Sequence, residues 1–174
     1  KDGLISSVDE SHEVILCDQG DSLGGLLSLA AVPPWKKDLQ GFLDWMKRQL
    51  QESTVRVQLN TQVDPEYVKR LKPDALVLCT GSMPHRPAVP GAESALTALD
   101  VLKGAPVGGE VIICGGGLVG CETGWYLAEQ KKKVTILEML QDLALDMEAR
   151  SRIALLKGLD TQGVRRVYPF NMQE

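Results

Sequence analysis

The stretch VIICGGGLVGCETG, Val111 to Gly124, sets three consecutive glycines between a short apolar run and a second apolar segment. Glycine forfeits side-chain packing and loses more backbone entropy on folding than any other residue, so three together mark a place where the bare backbone is needed. Gly115, Gly117 and Gly120 fit the pattern G-x-G-x-x-G, which carries weight only between a strand and a helix. That context is present. EVIIC (Glu110–Cys114) reads as a buried strand and Leu118–Gln130 as an apolar helix. VTILE (Val134–Glu138) reads as the next strand, and its last residue is an acid about twenty residues beyond the glycines.

Each part of this arrangement has a mechanical reason. Gly115 allows a tight strand-to-helix turn, Gly117 lets a pyrophosphate approach the backbone, and Gly120 lets helix and strand pack closely. Free amides at the helix start, where Leu118 and Val119 follow, would hold phosphates together with the positive end of the helix dipole. Glu138 would accept hydrogen bonds from the adenosine ribose and repel a 2′-phosphate, so NAD(H) is expected rather than NADP(H). Lys131–Lys133 follow the helix C-terminus and are expected at the far end of the sheet, complementing the dipole there. Cys121, in the first helical turn, reads as a small packing residue; Glu122 beside it either faces the nicotinamide or is an ordinary helix glutamate.

Outward from this core the alternation continues. EVILCD (Glu13–Asp18) and ALVLC (Ala75–Cys79) are continuously apolar and are expected as buried strands, while VRVQL (Val55–Leu59) alternates as a half-exposed one. Lys36–Glu52, after Pro33–Pro34, gathers Leu39, Phe42, Leu43, Met46 and Leu50 on one helical face. The segment TGSMPHRPAVPG (Thr80–Gly91) is a rigid connector, and a short helix covers Ala98–Lys103. Beyond Glu138, a helix is expected near Glu148–Leu159 and a strand near Val164–Tyr168. Strands alternating with helices predict an α/β fold: Rossmann-like parallel sheets with flanking helices in two nucleotide-binding lobes, 1–95 and 96–174.

The composition, 44% apolar and 24% charged, is that of a globular protein, and a net charge of −4 gives no basic surface for nucleic acid or membrane. No apolar run is long enough to span a bilayer, and the opening KDGLISSVDES has no signal-peptide pattern, so a cytoplasmic location is expected. Cys17, Cys79, Cys114 and Cys121 form no C-x-x-C pair and read as buried free thiols, with no metal or cluster site.

The chain from His12 to about Val167 resembles the FAD- and NAD-binding half of the 2,4-dienoyl-CoA reductase, 2-enoate reductase and trimethylamine dehydrogenase group, relatives of NADH oxidase. HEVILCDQGDSLGGLLSLAAVPPWKKDL is similar to the group's run from the second FAD strand into a double glycine and an Ala-Ala-x-Pro-Pro segment. DALVLCTGSMPHRPAVPG is similar to the Thr-Gly crossover of flavoproteins with two dinucleotide-binding domains, and GGGLVGCETGWYLAEQ to the start of their NAD domain. The resemblance implies Asp18 as the FAD-ribose acid, Gly24 and Gly25 close to FAD, and Thr80 and Gly81 beside its pyrophosphate. It implies Gly115, Gly117, Gly120 and Glu138 for NAD, and Glu122 near the nicotinamide–flavin contact.

Departures from the group's pattern bear on completeness. The first FAD strand with its glycine loop is missing before His12, and Lys131 stands where a glycine usually ends the NAD-domain helix. Both lobes are therefore expected to be incomplete, and the chain to be an inactive fragment of a larger enzyme. In that enzyme NADH would reduce FAD, with FMN, a 4Fe-4S cluster and an old-yellow-enzyme-like barrel in parts not present. The alternative is a structural or regulatory domain that binds a nucleotide such as ADP without hydride transfer.

Overall fold

The computed structural model describes residues 12–170, and the readings of the opening segment 1–11 lie outside them. The chain divides into two compact units, 1–83 and 84–174.

In the first unit, β1 (Ile15–Cys17) pairs in parallel with β2 (Arg56–Gln58). Between them run α1 (Gly25–Ala30), a 3-10 turn at Pro34–Lys36, and α2 (Lys37–Gln51). The α2 stripe is covered only in part: Leu43 is buried, but Phe42 stays 42% exposed and stacks on Trp45 with ring centroids 5.8 Å apart. A further helix, α3 (Pro65–Leu71), starts on an Asp64 carboxylate that accepts the Tyr67 amide at 2.7 Å, with Pro65 supplying the fixed φ suited to a first turn.

The second unit opens with a 3-10 turn at Ala92–Ser94 and α4 (Ala98–Leu102), capped reciprocally by Thr97 and Asp100. It then winds β3 (Glu110–Cys114), α5 (Leu118–Glu129), β4 (Lys133–Leu137), α6 (Ala149–Thr161) and β5 (Arg165–Val167). The three strands form one parallel sheet in the order β3-β4-β5, with Glu110 opposite Lys133 and Cys114 opposite Leu137. Ile136, Leu143, Leu159 and Cys121 are fully buried at its centre, with Leu127 and Leu155 beside them. Each such aliphatic side chain contributes about 1.5–3 kcal/mol by leaving water. Two glycines make the layers fit: a Cβ on Gly158 would lie 2.5 Å from the Trp125 ring, and one on Gly124 would lie 3.0 Å from Ile136 Cδ1.

Three expectations from the sequence are corrected. Ala75–Cys79 is not a strand: it pairs with neither β1 nor β2, and Leu76, Val77 and Leu78 are 54%, 79% and 76% exposed. A continuous apolar run becomes a central strand only when neighbours pair with both of its edges, and the sheet of this unit has two strands among the described residues. β3 is only half buried, because one face of it meets the core and the other does not: Val111 and Ile113 face inward, while Ile112 on the opposite face is 67% exposed. For the same reasons Cys79 and Cys114 are exposed rather than buried; Cys121 is buried as expected and Cys17 partly so.

The end of α5 carries a specific strain. Lys131 has φ +65°, its amide bonds to Ala128 O at 2.9 Å, and the Lys132 amide reaches Leu127 O at 3.2 Å. This is the paired-bond helix ending in which glycine normally occupies the left-handed position. A side chain there costs about 1–2 kcal/mol, only partly offset by the entropy a glycine loses on folding. Lys131→Gly is therefore expected to raise the thermal midpoint of the chain by a few degrees. A melting curve unchanged or shifted downward would contradict the assignment of strain to this residue.

Candidate functional site

The turn from β3 to α5 sits at the C-terminal edge of the parallel sheet, with the end of β4 alongside. Gly115 has φ +108°, a conformation that strains any side chain, and its amide is paired with Leu137 O at 2.9 Å. Gly120 permits the close approach behind the turn: a Cβ there would lie 1.9 Å from the Gly115 carbonyl oxygen. Gly117 is different. Its backbone is extended (φ −69°, ψ −176°), available to any residue, and an added Cβ would meet nothing within 4 Å. The space over Gly117 is therefore open.

Helix α5 begins at this opening with no side-chain cap. The first amide to bond back is that of Cys121, to Gly117 O at 3.0 Å, so the amides of Leu118, Val119 and Gly120 precede the helical ladder. Both Leu118 and Val119 are exposed. Uncapped amides and the positive end of a twelve-residue helix favour an anion here. Lys132 and Lys133 lie at the other end of the sheet, where Lys132 Nζ donates to Val107 O and Lys133 pairs with Glu110.

Glu138 follows β4 and faces the turn. Its Oε2 accepts the Gly116 amide at 2.6 Å and its Oε1 accepts the Leu140 amide at 2.8 Å. Two fixed bonds leave lone pairs on the carboxylate for further donors. Beside it lies a cavity of about 220 Å³ lined by Gly115, Glu138, Met139 and Phe170, with Pro87 also on its wall. Met139, Phe170 and Pro87 had not been singled out in the sequence.

Gly116, the variable position of the motif, also proves to need glycine. A Cβ there would lie 2.2 Å from Leu143 Cδ2 and 2.9 Å from Glu138 Cβ. Cys121 is fully buried, and its thiol donates to Gly116 O at 3.2 Å. Burial, with the Glu138 carboxylate adding to it, pushes this thiol up to about 11, so at neutral pH it is a packed neutral group rather than a redox centre. Glu122 is half-buried on α5.

The residues expected for a flavin nucleotide all belong to the first unit. Asp18 follows β1 and its carboxylate accepts the Gly20 amide at 2.7 Å. Gly24 (φ +126°) and Gly25 (φ +47°) lie at the start of α1, a six-residue helix. Thr80 and Gly81 lie in an exposed stretch without regular structure. None of the five lines the 450 Å³ cavity of this unit, which Asp21, Leu23, Lys47, Leu50 and Val57 help to form. Among the described residues no group of three or more His, Cys, Asp or Glu is placed to hold a metal ion, and no helix is long and apolar enough to cross a membrane.

The glycines separate by role in a way that unfolding can check. Gly120→Ala drives a methyl group into a carbonyl oxygen and is expected to destabilise the chain by about 1–3 kcal/mol or more, whereas Gly117→Ala is expected to leave urea unfolding nearly unchanged. Equal effects of the two substitutions would contradict the geometry.

Similarity to known proteins fits this arrangement. Residues 37–168 match the family model described as pyridine nucleotide-disulphide oxidoreductase. The chain is 41% identical over 167 residues to an NADH oxidase of Thermoanaerobacter brockii, covering 92% of this chain and 26% of that protein. It is 39% identical over 133 residues to a cinnamate reductase of Clostridium sporogenes, covering 76% of this chain and 20% of that one. A solved structure of 2-naphthoyl-CoA reductase with 2-naphthoyl-CoA superposes with a TM-score of 0.86 at 26% identity, over 92% of this chain and 25% of the other. The chain thus spans about a quarter of the length of these proteins. It belongs to the pyridine nucleotide-disulphide oxidoreductase family.

Proposed function

We propose that the chain is the NADH-binding portion of a larger flavin-dependent oxidoreductase of the enoate reductase, 2,4-dienoyl-CoA reductase or NADH oxidase type. The observation that carries this reading is the open space over Gly117, flanked by the uncapped start of α5 and by the Glu138 carboxylate. Those features fit a dinucleotide: a diphosphate at the bare backbone, a ribose at the acid. The amides of Gly117, Leu118, Val119 and Gly120 would receive the phosphate oxygens, and Gly115 would shape the turn beneath them. Glu138, already held by two amides, would accept from the ribose hydroxyls without having to reorient. A fixed carboxylate there disfavours a 2′-phosphate, which supports NADH over NADPH. Bound NADH would supply a hydride; the protein's part is orientation and electrostatics. Glu122, on the same helix, is the residue proposed to face the nicotinamide end.

FAD is proposed for the parent enzyme, with Asp18, Gly24, Gly25, Thr80 and Gly81 as its contacts there. None of those residues lines the 450 Å³ cavity of the first unit, and no step is assigned to them. The purified chain is accordingly expected to be colourless. An old-yellow-enzyme-like barrel of the same parent chain is the proposed partner, in keeping with the quarter-length overlap with full-length relatives.

Titration calorimetry of NADH and NADPH tests the reading. The wild type is expected to bind NADH in the micromolar range. Gly117→Val fills the phosphate space with a branched side chain, and Glu138→Ala removes bonds to a charged group worth about 1.5–3 kcal/mol. Both are expected to weaken NADH at least about tenfold, and Glu138→Arg to shift preference toward NADPH. Equal NADH binding by wild type and Gly117→Val would overturn it. Undiminished binding of ADP alongside no gain from the nicotinamide half would favour a nucleotide-binding structural domain instead.

A further inference from the structure

We infer that the segment after β4 is a clamp that positions the glycine turn, and that Arg152 is the positioning residue that sets it; this rests on the dinucleotide reading above. Gly116 is gripped at both ends of its own backbone. Its amide donates to Glu138, and its carbonyl accepts the Ala144 amide at 2.8 Å in addition to the Cys121 thiol. Leu143 fills the space where a side chain on Gly116 would stand. Leu143 and Ala144 are 0% and 1% exposed, and Ala144 holds φ +49°, a conformation an alanine keeps only when its surroundings enforce it.

The enforcing contacts come from Asp142 and Arg152. The Asp142 carboxylate accepts the Leu143 amide at 2.8 Å through Oδ1 and Arg152 Nη2 at 2.5 Å through Oδ2. Arg152 Nε donates in addition to Leu143 O at 2.8 Å. One guanidinium therefore fixes a side chain and the carbonyl just ahead of the amide that bonds Gly116. The path runs from the first turns of α6 through Arg152, Leu143 and Ala144 to Gly116, next to the open position at Gly117. A lysine supplies charge but not two donors at fixed angles, so it can replace one of these bonds and not both.

The test uses the 174-residue chain with Arg152→Met, Arg152→Lys and Asp142→Asn. Two quantities are measured for each: amide hydrogen exchange at Gly116 and Ala144, and the dissociation constant for NADH. In Arg152→Met both amides are expected to exchange on the order of tenfold faster while Ile136 in β4 keeps its protection, and NADH is expected to bind several-fold to about tenfold more weakly. Arg152→Lys is expected to fall between Met and wild type in both. Unchanged exchange at Gly116 and Ala144 would overturn the clamp, and faster exchange with unaltered NADH affinity would overturn its positioning role. Should Arg152→Met lose protection at Ile136 as well, the Lys and Asn variants decide by the same two criteria. A wild type that takes no NADH would count against the dinucleotide reading, while exchange alone would then decide the clamp.

Discussion

Helix α5 can start where it does only because Gly120 sets no Cβ against the carbonyl of Gly115, where one would lie at 1.9 Å. That approach fixes the rest of the second unit. It brings the helix axis close to the sheet, so the next inward positions must be small as well: Cys121 sits fully buried and Gly124 lies against Ile136. It aims the uncapped end of the helix at the edge where β3 and β4 finish. A helix seated one side chain farther out would lose both the packing and the anion-facing geometry, which links the core of this unit to its site.

The two units are unequal in how much they bury. Leu127, Ile136, Leu143, Leu155 and Leu159 make a contiguous core under the three-stranded sheet. Among described residues 12–83, only Pro33 and Leu43 are buried. Side-chain burial is the main term opposing conformational entropy, so the resistance to unfolding is concentrated in the unit that carries the glycine turn.

What could be read in the sequence was whatever local pattern dictates. The strand, three glycines, helix and terminal acid were legible because each is required by its neighbours within one βαβ unit. The helix at Pro65–Leu71 carries a local signature too, in the Asp-Pro pair that starts it. Ala75–Cys79 was misread because its composition specifies a preference for burial, while pairing depends on which strands lie beside it. Cys114 is exposed because it shares with Ile112 the face of β3 turned away from the core, which an apolar run does not reveal. The Asp142–Arg152 pair and the need for glycine at position 116 have no local signature; both arise from the chain folding back after β4.

The exposed run 75–79 has a consequence for how the chain behaves in concentrated solution. Five residues without charge, glycine or proline, their backbone unengaged by any strand, have the composition that adds to free sheet edges of other molecules. The sequence around it works against such stacking. Lys72, Pro73 and Asp74 precede it, and Gly81 and Pro84 follow. Charge and proline at the borders act as gatekeepers, confining self-association to a segment too short to propagate easily into a fibril.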